Sequence, residues 1–438
     1  MDIQKDRVQS VYFRMLAMAM GGAFAGCIFS LIDAMVVGKY HGPVGTATLA
    51  VAAPLLSVLY GMGFLTGIGG SVWFSTLRGK GDRYCADQYF TVAVILSVGV
   101  GGAALALLGF FRDPILAFFG AEGETLKLAQ QYLKGIFWAL PCCTLTNLLA
   151  AFIRNDGNPL LVTVSVVTGG VVNLLGDLWF VFGCDMGIYG AGLATALSLY
   201  VITLIMLSHF VTRKNTLRLA RPRAFLKKTL QIAVNGFPTA LNDIAMGILG
   251  ILFNRQIMKY LNTDALAIYG VLTQMTVFVQ CCAYSAGQAA QPIMSQNLGA
   301  QKPGRIRKCL KYGLYTSCFF GVLWMLLAMT IPNSFVRLFM TPTPSVLAMA
   351  PRIIATYGLS YLLLTFNVFI TYYFQAVLKP GAATAVSLGR GVLLSGVAVM
   401  VLPALLGADA LWYAMVAAEV LVGIPTVIAA VKYTKQLC

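Results

Sequence analysis

Apolar stretches long enough to cross a lipid bilayer recur along almost the whole chain. About 20 apolar residues in a helix cross a bilayer. This chain has 59% hydrophobic residues, 11% charged residues and a mean hydropathy of +0.80. Backbone polar groups find no water inside lipid, so each span is expected to be a helix. The pattern predicts twelve spans, at about 12–37, 46–74, 88–111, 129–153, 159–182, 187–212, 231–257, 265–296, 312–332, 350–377, 384–405 and 411–431.

The distribution of basic residues predicts which side of the membrane each loop faces. Lys and Arg accumulate in cytoplasmic loops. Most of the 31 Lys and Arg residues fall on one side, including the segment 213–228 and Lys432 and Lys435. We therefore expect cytoplasmic N- and C-termini and, because the loops are short, a prokaryotic plasma (inner) membrane. Topology and contact with anionic lipids explain the formal charge of +16, so no nucleic acid partner is expected.

The second half of the chain repeats landmarks of the first half after a shift of 220 residues. Residues 75–79 fall on 295–299, and both are followed by basic loops. Internal repeats of this kind are typical of transporters. Each half contains an even number of spans, so the halves keep the same orientation, related by a pseudo-twofold axis along the membrane normal. The sequence predicts an all-α integral membrane protein and a monomer, with a six-helix N-lobe at 1–212, a basic cytoplasmic linker at 213–228 and a six-helix C-lobe at 229–438.

Acidic residues inside the predicted spans are the strongest indication of function. There are four of them, namely Asp33, Asp177, Asp243 and Glu419. A carboxylate at mid-membrane costs about 2.5–3.5 kcal/mol, so it is usually retained for coupling, transport or a tight structural pairing. Asn173 lies four residues before Asp177 on the same helical face, where the two side chains can share a cation or a proton. The repeat places Leu393 and Val397 at the corresponding positions, which predicts this site in the N-terminal half alone.

The C-terminal half carries polar residues of a different kind. Asp243 and Asn254 are eleven residues apart and therefore share a helical face. Polar residues that line up along the faces of these helices predict a water-filled substrate cavity. The alternative is that they form hydrogen bonds between helices, each worth about 0.6 kcal/mol. For Glu419 the alternatives are a transport role and a structural pairing with Arg390. The further polar residues predicted for the cavity are Tyr284, Gln288, Gln291, Asn367 and Thr371.

Motifs along nearly the whole chain resemble the multidrug and toxic compound extrusion (MATE) family. Residues 31–40 (LIDAMVVGKY) resemble the first-helix pattern of the family, an Asp followed by a Val-Gly-basic exit. Residues 152–159 (FIRNDGNP) resemble its loop before the fifth helix, and 173–177 (NLLGD) resemble the Asn and Asp on that helix. The other matching features, in order, are 190–196, 236–238 with Asp243, 296–300 and Arg390.

The resemblance implies a two-lobed antiporter, within the flippase-like superfamily, that exports cationic or amphipathic compounds by alternating access. A sodium or proton gradient would drive it, and no cofactor is implied. By resemblance, Asp33, Asn173, Asp177 and Thr195 would form the coupling site, with the first three as metal ligands if the ion is sodium. Asp243 would occupy the acidic position of the seventh helix, where related members usually have Glu.

Three other classes of function are less consistent with the sequence. A flippase of a lipid-linked saccharide, or an exporter of an endogenous metabolite, is the nearest alternative, but a pyrophosphate calls for a more basic cavity than these spans offer. An enzyme is disfavoured because the chain has only two His residues and no identifiable nucleophile and base. A simple channel or receptor does not need a coupling site in one half of a repeat.

Overall fold

The fold is almost entirely helical and confirms the expected all-α membrane architecture. The computed structural model describes residues 3–213, 215–340 and 342–436, apart from the side chains of Pro43 and Asp243. Within these residues, 12 helices are long and apolar enough to cross a membrane. The spans predicted from hydropathy coincide with these helices one by one.

The helices begin and end beyond most of the predicted spans, because hydropathy marks only the part of a helix that lies in lipid. A shorter helix, Pro332–Phe339, lies between the ninth and tenth spanning helices. The spanning helices are α1 Val8–Gly42, α2 Val44–Lys80, α3 Arg83–Phe118, α4 Gly123–Asn155, α5 Pro159–Gly183, α6 Gly187–Val211, α7 Phe225–Tyr260, α8 Thr263–Gly299, α9 Pro303–Thr330, α10 Pro344–Ala376, α11 Pro380–Leu406 and α12 Ala408–Gln436.

The chain forms two compact units. The first consists chiefly of Ala17–Ile244, and the second of Asp6–Leu16 together with Ala245–Cys438. The boundary falls inside α7, so the first half of this helix packs with the first unit. The lobe bounds 1–212 and 229–438 stay a prediction.

Glycines bring the backbones of the first unit close together. A Cβ atom on Gly67 of α2 would lie 2.8 Å from the carbonyl oxygen of Asn147 on α4. A Cβ atom on Gly236 of α7 would lie 2.0 Å from the carbonyl oxygen of Leu65 on α2. Small residues are typical of close membrane helix contacts. The contact at Gly236 therefore accounts for the glycine in the motif at 236–238.

A network of side chains fixes the basic segment that follows α6. Asp156 Oδ2 lies 2.8 Å from His209 Nε2 and accepts a hydrogen bond of 2.8 Å from the backbone N–H of Thr216. The hydroxyl of Thr216 donates to Asp156 Oδ1, and Arg78 donates to the carbonyl oxygen of Thr216. Asp156 belongs to the motif at 152–159. This part of the motif therefore has a structural task, which is to tie the loop between α4 and α5 to the basic segment.

Aromatic side chains fill glycine hollows in the second unit. A Cβ atom on Gly287 of α8 would lie 2.4 Å from the ring of Tyr372 on α10. On α9, a Cβ atom on Gly313 would lie 1.9 Å from the ring of Phe369. Because these aromatic rings occupy the space next to the glycines, α8, α9 and α10 pack closely.

Candidate functional site

Asp33 and Asp177 are brought together by the packing of α1 along α5. Thr163 of α5 donates a hydrogen bond of 2.7 Å to a carbonyl oxygen of α1. Two turns later, a Cβ atom on Gly170 would lie 1.8 Å from the ring of Phe29 on α1. Asp33 follows Phe29 by one turn, and Asp177 follows Gly170 by two turns. The two carboxylates therefore face the same region and lie close enough to interact.

The acidic pair is poorly compensated. Asp177 has an exposed fraction of 0%, and among the described residues no amide, hydroxyl or basic group hydrogen-bonds to its carboxylate oxygens, which contact the carboxyl group of Asp33. Asp33 is half-buried, and its Oδ1 atom is buried without a hydrogen-bond donor from such a group in the described ranges. A buried charge without a partner is unfavourable, and two nearby negative charges add repulsion. A single positive charge relieves both penalties.

Asn173 and Thr195 lie beside this pair. Asn173 Nδ2 makes a long contact of 3.5 Å with Thr195 Oγ1, and Thr195 Oγ1 donates to a backbone carbonyl of its own helix at 3.1 Å. The helices α5 and α6 approach closely here, because a Cβ atom on Gly176 would lie only 2.9 Å from Cβ of Ala194. The structure thus brings together the residues predicted for the coupling site, namely Asp33, Asn173, Asp177 and Thr195.

Tyr132 of α4 lies in the same cluster and was missed by sequence reasoning. It is 3% exposed, and its side chain lies next to Thr195 and near the carboxylates of Asp33 and Asp177. A glycine positions it, because a Cβ atom on Gly192 of α6 would lie 2.4 Å from the carbonyl oxygen of Tyr132. Tyrosine near the end of a span is also typical of a membrane interface, so its position in the sequence does not distinguish a functional role from membrane anchoring.

Replacing Gly192 with Ala is expected to separate α4 from α6 and to displace Tyr132. Overpacking of this kind typically costs about 1–3 kcal/mol, so we expect a lower thermal unfolding temperature in detergent. Gly102→Ala is the matched control, because a Cβ atom at Gly102 meets nothing within 4 Å. Equal unfolding temperatures for the two variants would show that the contact at Gly192 is not tight.

Asp177 begins a π-helical segment of α5, Asp177–Gly183. Such segments are rare, and within α-helices they are frequent at functional sites. The repeat-related helix α11 also contains one, Gly389–Leu393, which includes Arg390. Each of these two helices therefore carries a buried ionisable side chain in a π-helical segment.

Glu419 in the second unit pairs with Arg390, which confirms the pairing expected as its structural alternative. Arg390 Nη2 lies 2.8 Å and Nε lies 3.2 Å from Glu419 Oε1. Asn367 Nδ2 donates to Glu419 Oε2 at 2.7 Å and to the Glu419 carbonyl oxygen at 3.1 Å. Thr371 is buried as well, and its hydroxyl donates to the carbonyl oxygen of Asn367 at 3.0 Å. The charge of Glu419 is thus balanced by a guanidinium group of the protein itself.

The other residues predicted for a substrate cavity differ in their exposure. Asn254 of α7 is exposed, Tyr284 and Gln288 of α8 are half-buried, and Gln291 of α8 is buried. The side chain of Asp243 lies outside the described residues. A substrate-binding role for these side chains stays a prediction.

The N-terminal cluster offers oxygen donors suited to a proton or a small hard cation. Its donors are two carboxylates, an amide and hydroxyl groups, and oxygen ligands are those that hard cations prefer. Across the described ranges, no group of three or more His, Cys, Asp and Glu side chains is placed to hold a metal ion.

Within the described residues, twelve helices could span a membrane, and two of them carry the interacting carboxyl groups of Asp33 and Asp177. Acidic residues inside spanning helices are typical of a membrane transporter. The MatE family model matches residues 19–179 and 238–401. The chain therefore belongs to the MatE family, whose members are transporters rather than enzymes.

Named relatives and solved structures agree with this assignment. Multidrug export protein MepA of Staphylococcus aureus (strain MRSA252) is 27% identical over 408 residues, which cover 91% of this chain and 88% of the relative. A structure described as an outward-facing multidrug resistance MATE family transporter of the MOP superfamily has a TM-score of 0.91 at 17% identity, covering 99% of this chain and 98% of that one. A MOP superfamily transporter from Pyrococcus furiosus, whose reversed pocket polarity suggests a different function, matches with the same TM-score, identity and coverage.

Proposed function

We propose that this protein is a secondary active exporter of cationic or amphipathic compounds, driven by sodium or proton antiport. The observation that carries the proposal is the interacting pair of Asp33 and Asp177 inside two spanning helices, with which no basic side chain of the described residues forms an ion pair. The name of the relative MepA, a multidrug export protein, supports the substrate class. The protein would act as a monomer in a bacterial plasma membrane, with both termini in the cytoplasm.

The coupling mechanism follows from electrostatics. A proton or sodium ion that enters from outside lowers the charge of the acidic pair from two negative charges to one and relieves the repulsion between its two carboxylates. The helices α1 and α5 then adjust to the less charged site, which weakens substrate binding and favours outward release. Return of the ion to the inside resets the cycle between the proposed lobes. One charge moving down 100 mV supplies about 2.3 kcal/mol, enough for about fiftyfold accumulation.

Tyr132, Asn173 and Thr195 would orient this exchange. Asn173 offers an amide oxygen to a cation, while Thr195 and Tyr132 offer hydroxyl groups on the two neighbouring helices. Because these groups come from α4, α5 and α6, binding of an ion draws three helices toward one centre. The carboxylates on α1 and α5 attract the ion electrostatically, and the neutral oxygen donors on α4, α5 and α6 determine where it binds.

A flippase of lipid-linked saccharides, or an exporter of an endogenous metabolite, remains the second candidate. The match to the Pyrococcus furiosus transporter supports this second candidate. Its fold is as similar to this chain as that of the multidrug resistance transporter, yet the polarity of its pocket suggests a different function. The guanidinium group of Arg390 is already paired with Glu419, so it offers no free positive charge to a pyrophosphate ligand in the second unit.

Ethidium efflux from liposomes tests the proposed function. Purified protein is reconstituted, and proton and sodium gradients are imposed separately. We expect one of the two gradients to drive efflux, and an ionophore that collapses this gradient should stop it. Liposomes without protein are the control. If folded protein moves neither ethidium nor other cationic dyes under either gradient, cation-coupled drug export is wrong and the second candidate is favoured.

A further inference from the structure

A groove of about 380 Å³ lies between α9, α10 and α12 of the second unit. Its walls are apolar, and one side is open, since Val431 is 50% exposed. Two basic side chains border the groove at one end. The residues that line the groove include Leu310, Phe366, Ile370, Val431, Arg307 and Lys435.

The basic end of the groove lies at one face of the membrane. Arg307 is in the first turns of α9 and Lys435 is in the last turn of α12. Leu314 and Val427 also line the groove, and they lie seven and eight residues farther into their helices. At 1.5 Å per residue this is about 10–12 Å toward the membrane interior. The groove therefore runs from a charged mouth into an apolar interior.

Near the mouth, the charged residues of the three helices that line the groove are all basic. On the side of α9 that leads to α1, Arg305 donates a hydrogen bond to the backbone carbonyl of Asp6. The helix α9 contains no acidic residue, and no acidic residue follows Glu419 along the chain. Lys308 and Lys432 add further positive charge on the same helices. A cationic compound of the exported class would be repelled at this mouth, whereas an anionic headgroup would be attracted.

We propose that an anionic phospholipid binds in this groove, with its phosphate between Arg307 and Lys435 and an acyl chain along the apolar walls. Basic pockets between helices on the cytoplasmic side are typical sites for anionic headgroups. Under the proposed orientation, this mouth faces the cytoplasmic leaflet. The lipid would bridge the start of α9 and the end of α12. The site is independent of the exported compound and of the coupling ion.

Lipid titration of the purified full-length protein in neutral detergent tests this site. Native mass spectrometry measures the affinity for dioleoylphosphatidylglycerol and for dioleoylphosphatidylcholine. Each basic side chain near a membrane surface contributes about fivefold to anionic lipid binding. The double variant Arg307→Gln/Lys435→Gln should therefore bind phosphatidylglycerol about thirtyfold more weakly. The wild type should bind phosphatidylcholine more weakly than phosphatidylglycerol.

The matched control is Lys308→Gln/Lys432→Gln, which removes the same charge from the same helices outside the groove. We expect this control to lose less affinity than Arg307→Gln/Lys435→Gln, because Lys308 and Lys432 add positive charge on the same helices but do not line the groove. Val431→Trp keeps every charge and narrows the groove, and it should also weaken phosphatidylglycerol binding. Equal losses in the two double variants, unchanged binding by Val431→Trp, or equal affinity for the two lipids would overturn the proposal.

Discussion

Replacing Asp177 with Asn is expected to leave the protein folded and to abolish gradient-driven export. Asp177 is fully buried, and within the described residues its carboxylate oxygens accept no hydrogen bond from an amide, hydroxyl or basic group. Asn has nearly the same shape and can still hydrogen-bond to Asp33, so the change removes a charge and keeps the contact. Repulsion with Asp33 disappears, and we expect a thermal unfolding temperature equal to that of the wild type or higher. Efflux of ethidium from liposomes should fall at least tenfold under a gradient that drives the wild type.

The controls separate loss of coupling from loss of charge in general. Asp33→Asn should have the same effect, because either substitution leaves a single carboxylate in the site. Asp113→Asn makes the same chemical change at a residue that is exposed and bonded to Arg112 and Gln130, and it should retain efflux. Coupled efflux at the wild-type rate by folded Asp177→Asn would exclude Asp177 from the coupling site.

The sequence predicted the helices well, because the bilayer imposes a physical length on every span. It predicted the proximity of Asn173 and Asp177 too, since a separation of four residues fixes a shared face. Asp33 and Thr195 were placed with them only through family resemblance. Their actual proximity depends on how α1 and α6 pack on α5, and hydropathy carries no information about helix neighbours.

Other features of the site had no sequence signal. The π-helical segment at Asp177–Gly183 changes the local register of α5, and an apolar pattern is compatible with either register. Tyr132 reaches the site because Gly192 lets α6 approach α4. A glycine in a membrane helix is common, and only the structure shows which backbone it faces. The start of α9 was predicted too late in the chain. This helix begins at Pro303 within a basic segment, and hydropathy does not detect the part of a helix that lies outside lipid.

Replacing Arg390 with Met is expected to destabilise the protein strongly. Arg390 and Glu419 are buried, and removing one partner of a buried ion pair typically costs about 3–5 kcal/mol because the other charge is left uncompensated. The double variant Arg390→Met/Glu419→Gln removes both charges. The Gln side chain still accepts a hydrogen bond from Asn367, which now donates to Glu419 at 2.7 Å. Thermal unfolding in detergent should show the single variant as the less stable of the two.

An exposed ion pair in the same unit provides the control. Arg352 Nη2 lies 2.9 Å from Asp409 Oδ2, but the two side chains are 72% and 58% exposed. Arg352→Met should cost about 1 kcal/mol or less, because water screens such pairs. If the single and double variants at Arg390 were equally unstable, packing rather than charge would account for the loss.

The ion pair also explains why coupling is expected in one unit only. The second unit neutralises its buried carboxylate with its own guanidinium, so Glu419 needs no positive charge from solution. The first unit holds two interacting carboxylates, one buried and one half-buried, and no described basic side chain forms an ion pair with either. A mobile cation or proton can therefore do for Asp33 and Asp177 what Arg390 does permanently for Glu419. Greater stability of the double variant than of Arg390→Met would support this electrostatic account of the asymmetry.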